Sequence, residues 1–353
     1  MRAALAIGFL LVAGCTAPGQ PSSPSSAASA RSSSDGVVEF SLPWQPACGG
    51  CVQVNPVSIA AGHDGNVWFV DPLSNVIGRI TPSGVATKFD IPNSGGSLGN
   101  IAAGPDHNMW VGVNGGGQGH PDGIGRIDPT GKFTKFQAGA APAYGFGTGP
   151  AGIAPGSDGN IWFTEFWSNA IGRMSPSGQL TEFPISTPGT QPRGIVAGPD
   201  GNLWFTESSR FHSAIARMTP SGAITEWVLH PDQPDFNPYS IVSGPDGNLW
   251  YSELVYLAHN PIPAGNIAKI TPAGVITNYP LPSGSVATAL AFGPDGNLWF
   301  TDPSRNGIGR MTTTGTYREF ALPKRNSQPM GIAAGPSGRM WLTEGNRIAS
   351  IGT

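Results

Sequence analysis

The chain has 353 residues, of which only 12% are charged, and it contains 51 glycines and 35 prolines. Because each of these residues destabilises a helix interior by about 1 to 3 kcal/mol, the composition excludes coiled coils, helical bundles and helical solenoids. A hydrophobic share of 39% allows a sizeable core and argues against general disorder, and a net charge of −3 gives no support for nucleic-acid binding.

The N-terminus carries the pattern of a bacterial export signal. Arg2 precedes an apolar run over residues 3–13, which is too short to span a bilayer. The run leads into Leu-Val-Ala-Gly-Cys, which resembles a lipobox, the signal at which a cysteine is lipidated and becomes the mature N-terminus. We therefore predict a lipoprotein signal peptide over residues 1–14 and lipidation at Cys15, with an ordinary secretory signal as the alternative. This prediction places the protein outside the cytoplasm, lipid-anchored to a bacterial cell membrane or outer membrane.

The segment that follows is rich in serine, proline, alanine and glycine, which predicts a flexible tether over residues 15–36. Beyond it, Cys48 and Cys51 stand in a Cys-Gly-Gly-Cys sequence. In an oxidising compartment this pair is expected to form a disulfide, with a redox-active pair or two free thiols as the alternatives. Two cysteines without a second pair make a poor zinc site, and the sequence predicts no metal site.

A phrase close to Gly-Pro-Asp-Gly-Asn-Leu-Trp-Phe-Thr-Glu recurs seven times in the rest of the chain. Its tryptophans are 42 to 52 residues apart, a period typical of β-propeller blades. Each repeat contains short apolar segments, here named strands A to D, with tight turns between A and B and between C and D. We therefore predict an all-β, seven-bladed β-propeller of four-stranded antiparallel blades over residues 37–353. The seven tryptophans are Trp68, Trp110, Trp162, Trp204, Trp250, Trp299 and Trp341.

The last repeat ends at Ile351, after strand C, and lacks an outer strand. The segment Val37–Pro43 resembles the strand D segments of other repeats. We therefore predict that this N-terminal strand closes the last blade. Closure would remove an exposed sheet edge and join both ends of the chain in one cooperative unit.

Insertions in the repeats fall in the connections from B to C and from D to A. In a propeller these connections lie on one face, so this face is the predicted binding face. His212, Tyr256 and His259 are candidate ligand-binding residues at its rim. For each histidine taken alone, a solvated loop residue is the simpler interpretation.

An acid ends strand B in six of the seven repeats. An acid that recurs on nearly every blade favours a scaffold role over catalysis, because a catalytic site needs asymmetry. The expected role is pairing with the arginines of strand C. The acids are Asp71, Glu165, Glu207, Glu253, Asp302 and Glu344, and the arginines are Arg79, Arg173, Arg217 and Arg310.

The repeats resemble the streptogramin B lyase family, most clearly over residues 156–185 and in total over residues 37–353. The resemblance implies a Mg²⁺-dependent enzyme that opens a cyclic depsipeptide antibiotic by elimination at its ester. In that family a tyrosine and two histidines hold the second position of a Pro-x-Gly-Ile motif in blades 1, 6 and 7, and two glutamates lie near the last histidine. The corresponding residues here are Val57, Thr288, Gln328, Met330 and Gly345.

These differences remove the chemistry that the family resemblance implies. Neither Thr288 nor Met330 can take a carbon-bound proton near neutral pH. An amide at Gln328 is also a weaker Mg²⁺ ligand than a carboxylate. We therefore predict that the catalytic histidines of the family are absent, although Glu344 stands beside Gly345.

The same motif position in the other blades holds Gly99, Ala151, Arg193 and Tyr239. Arg193 and Tyr239 belong to adjacent blades and are candidate ligand-binding residues for an anionic or ring-bearing ligand, because arginine binds anions through paired hydrogen bonds. The alternative is that these two side chains only fill the channel.

Three functions follow from these observations. The first, which we favour, is an extracytoplasmic, lipid-anchored propeller that binds a small-molecule or cell-envelope ligand without a cofactor. The second is a virginiamycin B lyase-type carbon–oxygen lyase with a rearranged site and Mg²⁺. The third is a lactonase-like hydrolase. The sequence argues against it, because no set of acidic residues is confined to a few blades. In each case we expect a monomer that binds no nucleic acid.

Overall fold

The computed structural model describes residues 26–27, 29–32, 36–44, 55–91, 96–115, 122–139, 149–230, 236–255 and 264–353. These residues form seven antiparallel sheets, and the predicted all-β, seven-bladed propeller is confirmed. The described helical structure is a single 3-10 turn, Pro336–Gly338. No helix in this part of the chain is long and apolar enough to cross a membrane. The predicted lipidation site Cys15 and the Cys48–Cys51 pair lie outside the described residues.

Blades 1 to 6 each hold strands A to D in chain order, and short N-terminal strands add to the sheets of blades 1 and 7. The N-terminal strands are β1 (Ser26–Ala27), β2 (Ser29–Ser32) and β3 (Val38–Ser41). Blade 1 is β4 (Ser58–Ala61), β5 (Val67–Asp71), β6 (Val76–Ile80) and β7 (Val85–Asp90). Blade 2 is β8 (Gly96–Ala103), β9 (Met109–Gly115), β10 (Gly123–Ile127) and β11 (Phe133–Gln137). Blade 3 is β12 (Pro150–Pro155), β13 (Ile161–Glu165), β14 (Ala170–Met174) and β15 (Leu180–Pro184).

The remaining four blades follow the same plan. Blade 4 is β16 (Pro192–Ala197), β17 (Leu203–Ser209), β18 (His212–Met218) and β19 (Ile224–Val228). Blade 5 is β20 (Phe236–Ser243), β21 (Leu249–Val255), β22 (Ala264–Ile270) and β23 (Ile276–Pro280). Blade 6 is β24 (Leu290–Phe292), β25 (Leu298–Asp302), β26 (Gly307–Met311) and β27 (Tyr317–Ala321). Blade 7 has β28 (Pro329–Gly335), β29 (Arg339–Glu344) and β30 (Arg347–Gly352) as strands A to C.

The N-terminal strand β3 supplies the outer strand of blade 7. It pairs antiparallel with β30, with Val38 opposite Ser350 and Phe40 opposite Ile348. The Phe40 ring stacks on the ring of Trp341, with centroids 5.5 Å apart. The last sheet therefore combines strands from both ends of the chain.

Two short strands lie within the segment predicted as a flexible tether. β1 pairs with β7 at the outer edge of blade 1, and β2 pairs with β3 at the outer edge of blade 7. An outer strand presents unpaired backbone N–H and C=O groups, which an extended neighbouring segment can satisfy even when its side chains are small and polar.

The repeated tryptophans form the core between blades. In blade 4, Trp204 is fully buried, stacks on Trp227 of its own sheet and packs against residues of blade 5 such as Ile241. Its indole Nε1 donates to Asp200 in the turn between A and B, at 3.0 Å. The recurring Asp-Gly-Asn-Leu-Trp phrase is thus a structural unit, because one aspartate organises the turn and satisfies a buried indole donor.

Candidate functional site

The inner strands of the blades surround a central cavity of about 470 Å³. Every blade contributes a wall residue near the start of strand A, so the motif position singled out in the sequence converges on one site. In blade 2 the wall residue is Asn100 rather than the adjacent Gly99. Gln328 and Gly345 are not among the described residues that line the cavity. The wall residues at this position are Val57, Asn100, Ala151, Arg193, Tyr239, Thr288 and Met330.

A β-bulge near the start of strand A and a threonine from strand B fix the backbone of the wall. The register between strands A and B shifts at this point in blades 2, 3, 4, 5 and 7. The Thr164 hydroxyl donates to the Arg193 carbonyl at 2.7 Å, and the Thr206 hydroxyl donates to the Tyr239 carbonyl at 3.2 Å. Each threonine therefore links the backbone of a wall residue to the preceding blade. This hydrogen bond fixes the position from which the side chain of the wall residue extends.

Arg193 is the only charged residue among the described residues that line the cavity. Its guanidinium carbon lies 4.7 Å from the ring centroid of Phe166 and 5.5 Å from that of Tyr239. The buried Nε of Arg193 has no hydrogen-bond partner in the described part of the chain. The two rings therefore hold the guanidinium at the cavity wall while part of its hydrogen-bonding capacity stays unused.

Phe166 was not identified from the sequence. It follows the strand B acid of blade 3, at a position that holds no other aromatic residue in the seven repeats. That departure from the repeat is a usable signal. Its meaning depends on the neighbouring blade, however, because its contact with Arg193 crosses from blade 3 to blade 4.

The residues predicted at the rim have different locations. His212 does not line the cavity: its Nε2 lies 3.0 Å from Oε2 of Glu207 and 3.4 Å from Oε2 of Glu226. Tyr256 and His259 lie outside the described residues, so their placement at the rim remains a prediction.

The predicted pairing of strand B acids with strand C arginines is wrong. In blade 4, Arg217 lies opposite Trp204, whereas Glu207 lies opposite Ala214. Trp204 and Glu207 are three residues apart, so their side chains point to opposite faces of the sheet. Arg217 instead lies over the Trp204 ring and 3.7 Å from Asp200. The same arrangement pairs Arg79 with Asp64, Arg126 with Asp106 and Arg310 with Asp295, while Arg173 lies over the ring of Trp162.

The acids that end strand B are buried, and their environments differ from blade to blade. In blade 5, Glu253 lies 3.1 Å from His230. In blade 3, Glu165 is fully buried and faces the carboxyl groups of Glu182 and Asp122. Burial, together with these like charges, raises the pKa of Glu165 to about 8, so its carboxyl group holds a proton near neutral pH.

The raised pKa of Glu165 predicts a pH dependence of stability. The ordinary pKa of this group is 4.5. The stability that the protonated Glu165 side chain gives the folded protein is therefore fully present below pH 4.5 and is lost as the pH rises through about 8. We expect Glu165→Gln, which mimics the protonated form, to gain on the order of 2–4 kcal/mol over the unsubstituted protein at pH 8 and little at pH 4.5. Thermal unfolding between these pH values measures the effect. Asp90→Asn, at a half-exposed side chain, is the control, and an unaltered pH slope in Glu165→Gln would contradict the assignment.

The sequence model of the virginiamycin B lyase family matches residues 30–210 and 142–353 and so spans the whole propeller. The chain belongs to the virginiamycin B lyase family. Two solved structures are similar over most of the chain. A streptogramin B lyase has 30% identity and a TM-score of 0.75, covering 89% of this chain and 96% of that chain. A catalytically inactive histidine-to-alanine variant of virginiamycin B lyase from Staphylococcus aureus, with quinupristin, has 29% identity and a TM-score of 0.76, covering 90% and 99%.

More distant matches are limited in what they support. A virginiamycin B lyase from Nocardia farcinica is 26% identical over 131 residues, which span 37% of this chain and 42% of that protein. Hydrazine synthase of Kuenenia stuttgartiensis has 14% identity and a TM-score of 0.69, covering 88% of this chain and 99% of that chain. At that identity the similarity shows the propeller fold alone.

Membership of the virginiamycin B lyase family raises the question of whether these residues fit a Mg²⁺ ion. The described residues that line the cavity include no carboxylate and no histidine. Thr288 and Met330 line the wall at family positions, and Gln328 offers only an amide. Glu344 is 2% exposed and is not part of the wall. Because Mg²⁺ is bound mainly through carboxylates and water, these residues do not fit a Mg²⁺ site of the family type.

Proposed function

We propose that this member of the virginiamycin B lyase family is a binding protein that takes an anionic, ring-bearing ligand into its central cavity. The observation that carries the proposal is the Arg193 guanidinium, held between Phe166 and Tyr239 as the single charge among the described wall residues. Guanidinium groups bind carboxylates and phosphates through paired charge-assisted hydrogen bonds, and the cavity volume lies within the usual range for small-molecule sites.

The wall chemistry supports binding rather than elimination. Elimination needs a base at the reacting carbon, and a positioned base is worth about 10²–10⁴ in rate. The Staphylococcus aureus enzyme with a single histidine replaced by alanine is described as catalytically inactive. The resemblance to the streptogramin B lyase family places histidines at the positions of Thr288 and Met330, and neither of these side chains can act as such a base.

The proposed location is the outer side of a bacterial membrane. The apolar run before Cys15 and the small residues around it support lipid anchoring, and the Ser/Pro-rich segment after it would hold the propeller away from the bilayer. In that position the cavity is available to a small molecule or to a cell-envelope component.

Titration with an aromatic carboxylate tests this proposal. We expect phenylacetate to raise the melting temperature in a saturable way, whereas the matched amide, phenylacetamide, has a much smaller effect. Arg193→Ala should weaken phenylacetate binding at least tenfold, because hydrogen bonds to charged groups contribute about 1.5–3 kcal/mol. Arg193→Lys should bind with intermediate affinity, since it keeps the charge but loses the planar, paired geometry.

Tyr239→Phe is the matched control, because it keeps the aromatic ring over the guanidinium. It should bind phenylacetate as the unsubstituted protein does. Equal stabilisation by acid and amide, or equal binding by Arg193→Ala, would refute the proposed role of Arg193.

A further inference from the structure

Blade 4 carries a three-residue cluster outside the cavity wall that combines two carboxylates with an imidazole. Glu207 ends strand β17, His212 begins β18, and Glu226 lies on β19. One ligand atom from each residue lies within 4.8 Å of the other two. We propose that Glu207, His212 and Glu226 form a binding site for a divalent first-row metal ion of the zinc class.

The distances in the cluster match the spacing of metal ligands. His212 Nε2 lies 3.0 Å from Glu207 Oε2 and 3.4 Å from Glu226 Oε2. In a tetrahedral site with metal–ligand bonds of about 2.0–2.1 Å, neighbouring ligand atoms are about 3.3 Å apart. Both distances from His212 are therefore compatible with the three side chains binding one ion.

Glu207 and Glu226 show the features expected of ligands. Glu207 is 0% exposed, and its Oε1 has no hydrogen-bond partner in the described part of the chain. A buried oxygen without a partner is costly, and a bound cation would satisfy it. The Thr187 hydroxyl lies 2.9 Å from each oxygen of Glu226 and orients this carboxylate, as outer-shell groups do around metal ligands.

Comparison with other blades separates this cluster from ordinary charge pairing. Blades 6 and 7 also bring an outer-strand acid close to the strand B acid, at Glu319 and Glu39. In those blades an arginine pairs with the outer acid: Arg305 lies 3.0 Å from Glu319, and Arg347 lies 3.7 Å from Glu39. Arginine is a permanent cation and cannot be a ligand. Blade 4 instead has His212, which can donate a nitrogen lone pair to a metal.

The ligand types indicate which metal is bound. Imidazole nitrogen with carboxylate oxygen suits zinc and its neighbours, whereas Mg²⁺ and Ca²⁺ prefer oxygen ligands alone. Three protein ligands leave a fourth position for water or a ligand group. The His212 and Glu226 side chains are 17% and 18% exposed, so this position is accessible from solvent.

Calorimetric titration of the chelator-treated full chain with ZnCl₂ tests the site. We expect His212→Ala to bind one zinc ion fewer per chain than the unsubstituted protein, and Glu226→Gln to bind that ion at least tenfold more weakly. The zinc stoichiometry is compared between variants, so that any zinc bound by Cys48 and Cys51 is the same in each of them. His230→Ala is the matched control, since it removes a histidine that pairs with a single acid, and it should leave the zinc stoichiometry unchanged.

Two results would overturn the proposal. One is equal zinc binding by the unsubstituted protein and both cluster variants, each shown to be folded by its circular dichroism spectrum. The other is the absence of an anomalous zinc peak between the three side chains in zinc-soaked crystals of the unsubstituted protein. The second measurement needs no variant and stands even if His212→Ala does not fold.

Discussion

Incubation of the unsubstituted protein with quinupristin and Mg²⁺ should leave the cyclic ester intact. The described cavity wall holds no histidine or carboxylate, and Thr288 and Met330 stand where the family resemblance places histidines. Loss of a positioned base alone lowers the rate by about 10²–10⁴, and loss of metal-assisted charge stabilisation lowers it further. Mass spectrometry detects the linear product.

A gain-of-function variant makes this expectation sharper. Thr288→His, Gln328→Glu and Met330→His together restore three family residues on the same scaffold, and linear product should rise at least a hundredfold above the unsubstituted protein. A matched Thr288→Ala, Met330→Ala variant should show no gain. Gly345 is left unchanged because its φ of 46° would strain a glutamate. Efficient linearisation by the unsubstituted protein would show that the lyase chemistry survives elsewhere in the cavity.

Deletion of residues 37–43 should lower the free energy of unfolding by several kcal/mol. This segment buries Val37, Phe40 and Leu42, which are at most 6% exposed, and pairs along β30. Burial of one large apolar side chain stabilises a protein by about 1.5–3 kcal/mol, and the deletion also exposes the edge of β30. Chemical denaturation measures the loss.

Deletion of residues 29–32 is the matched control. It removes β2, a short strand of small and polar residues at the same edge, and should change stability by about 1 kcal/mol or less. Similar stability of the two deletion proteins would contradict the importance of closure by β3.

The fold could be predicted from the sequence because each blade contains one copy of the same repeated phrase. Each of the seven repeated tryptophans marks a buried strand B, and a tight turn before it, Asp-Gly-Asn in five of the repeats, sets the hairpin, so seven variants of the phrase define seven blades. The place of Arg193 and Tyr239 in one cavity wall was also predictable, since both occupy the same position of the repeat on adjacent blades.

Side-chain partners could not be predicted in the same way. Arg217 and Glu207 are close in the repeat, yet the register sets Arg217 opposite Trp204 and directs the two charges to opposite faces. The contact of Phe166 with Arg193 crosses a blade boundary. His212 was identified from its loop position, but its two glutamate partners depend on the pairing of β17, β18 and β19. These contacts depend on strand register and on blade packing, which cannot be predicted from a short sequence motif.

A crystal structure of the protein soaked with phenylacetate would show whether Arg193 anchors a ligand in the propeller cavity. We predict density for the carboxylate within about 2.7–2.9 Å of the Arg193 guanidinium nitrogens, with the ring inside the cavity. Phenylacetate bound elsewhere, with the wall around Arg193 unoccupied, would contradict this role of Arg193.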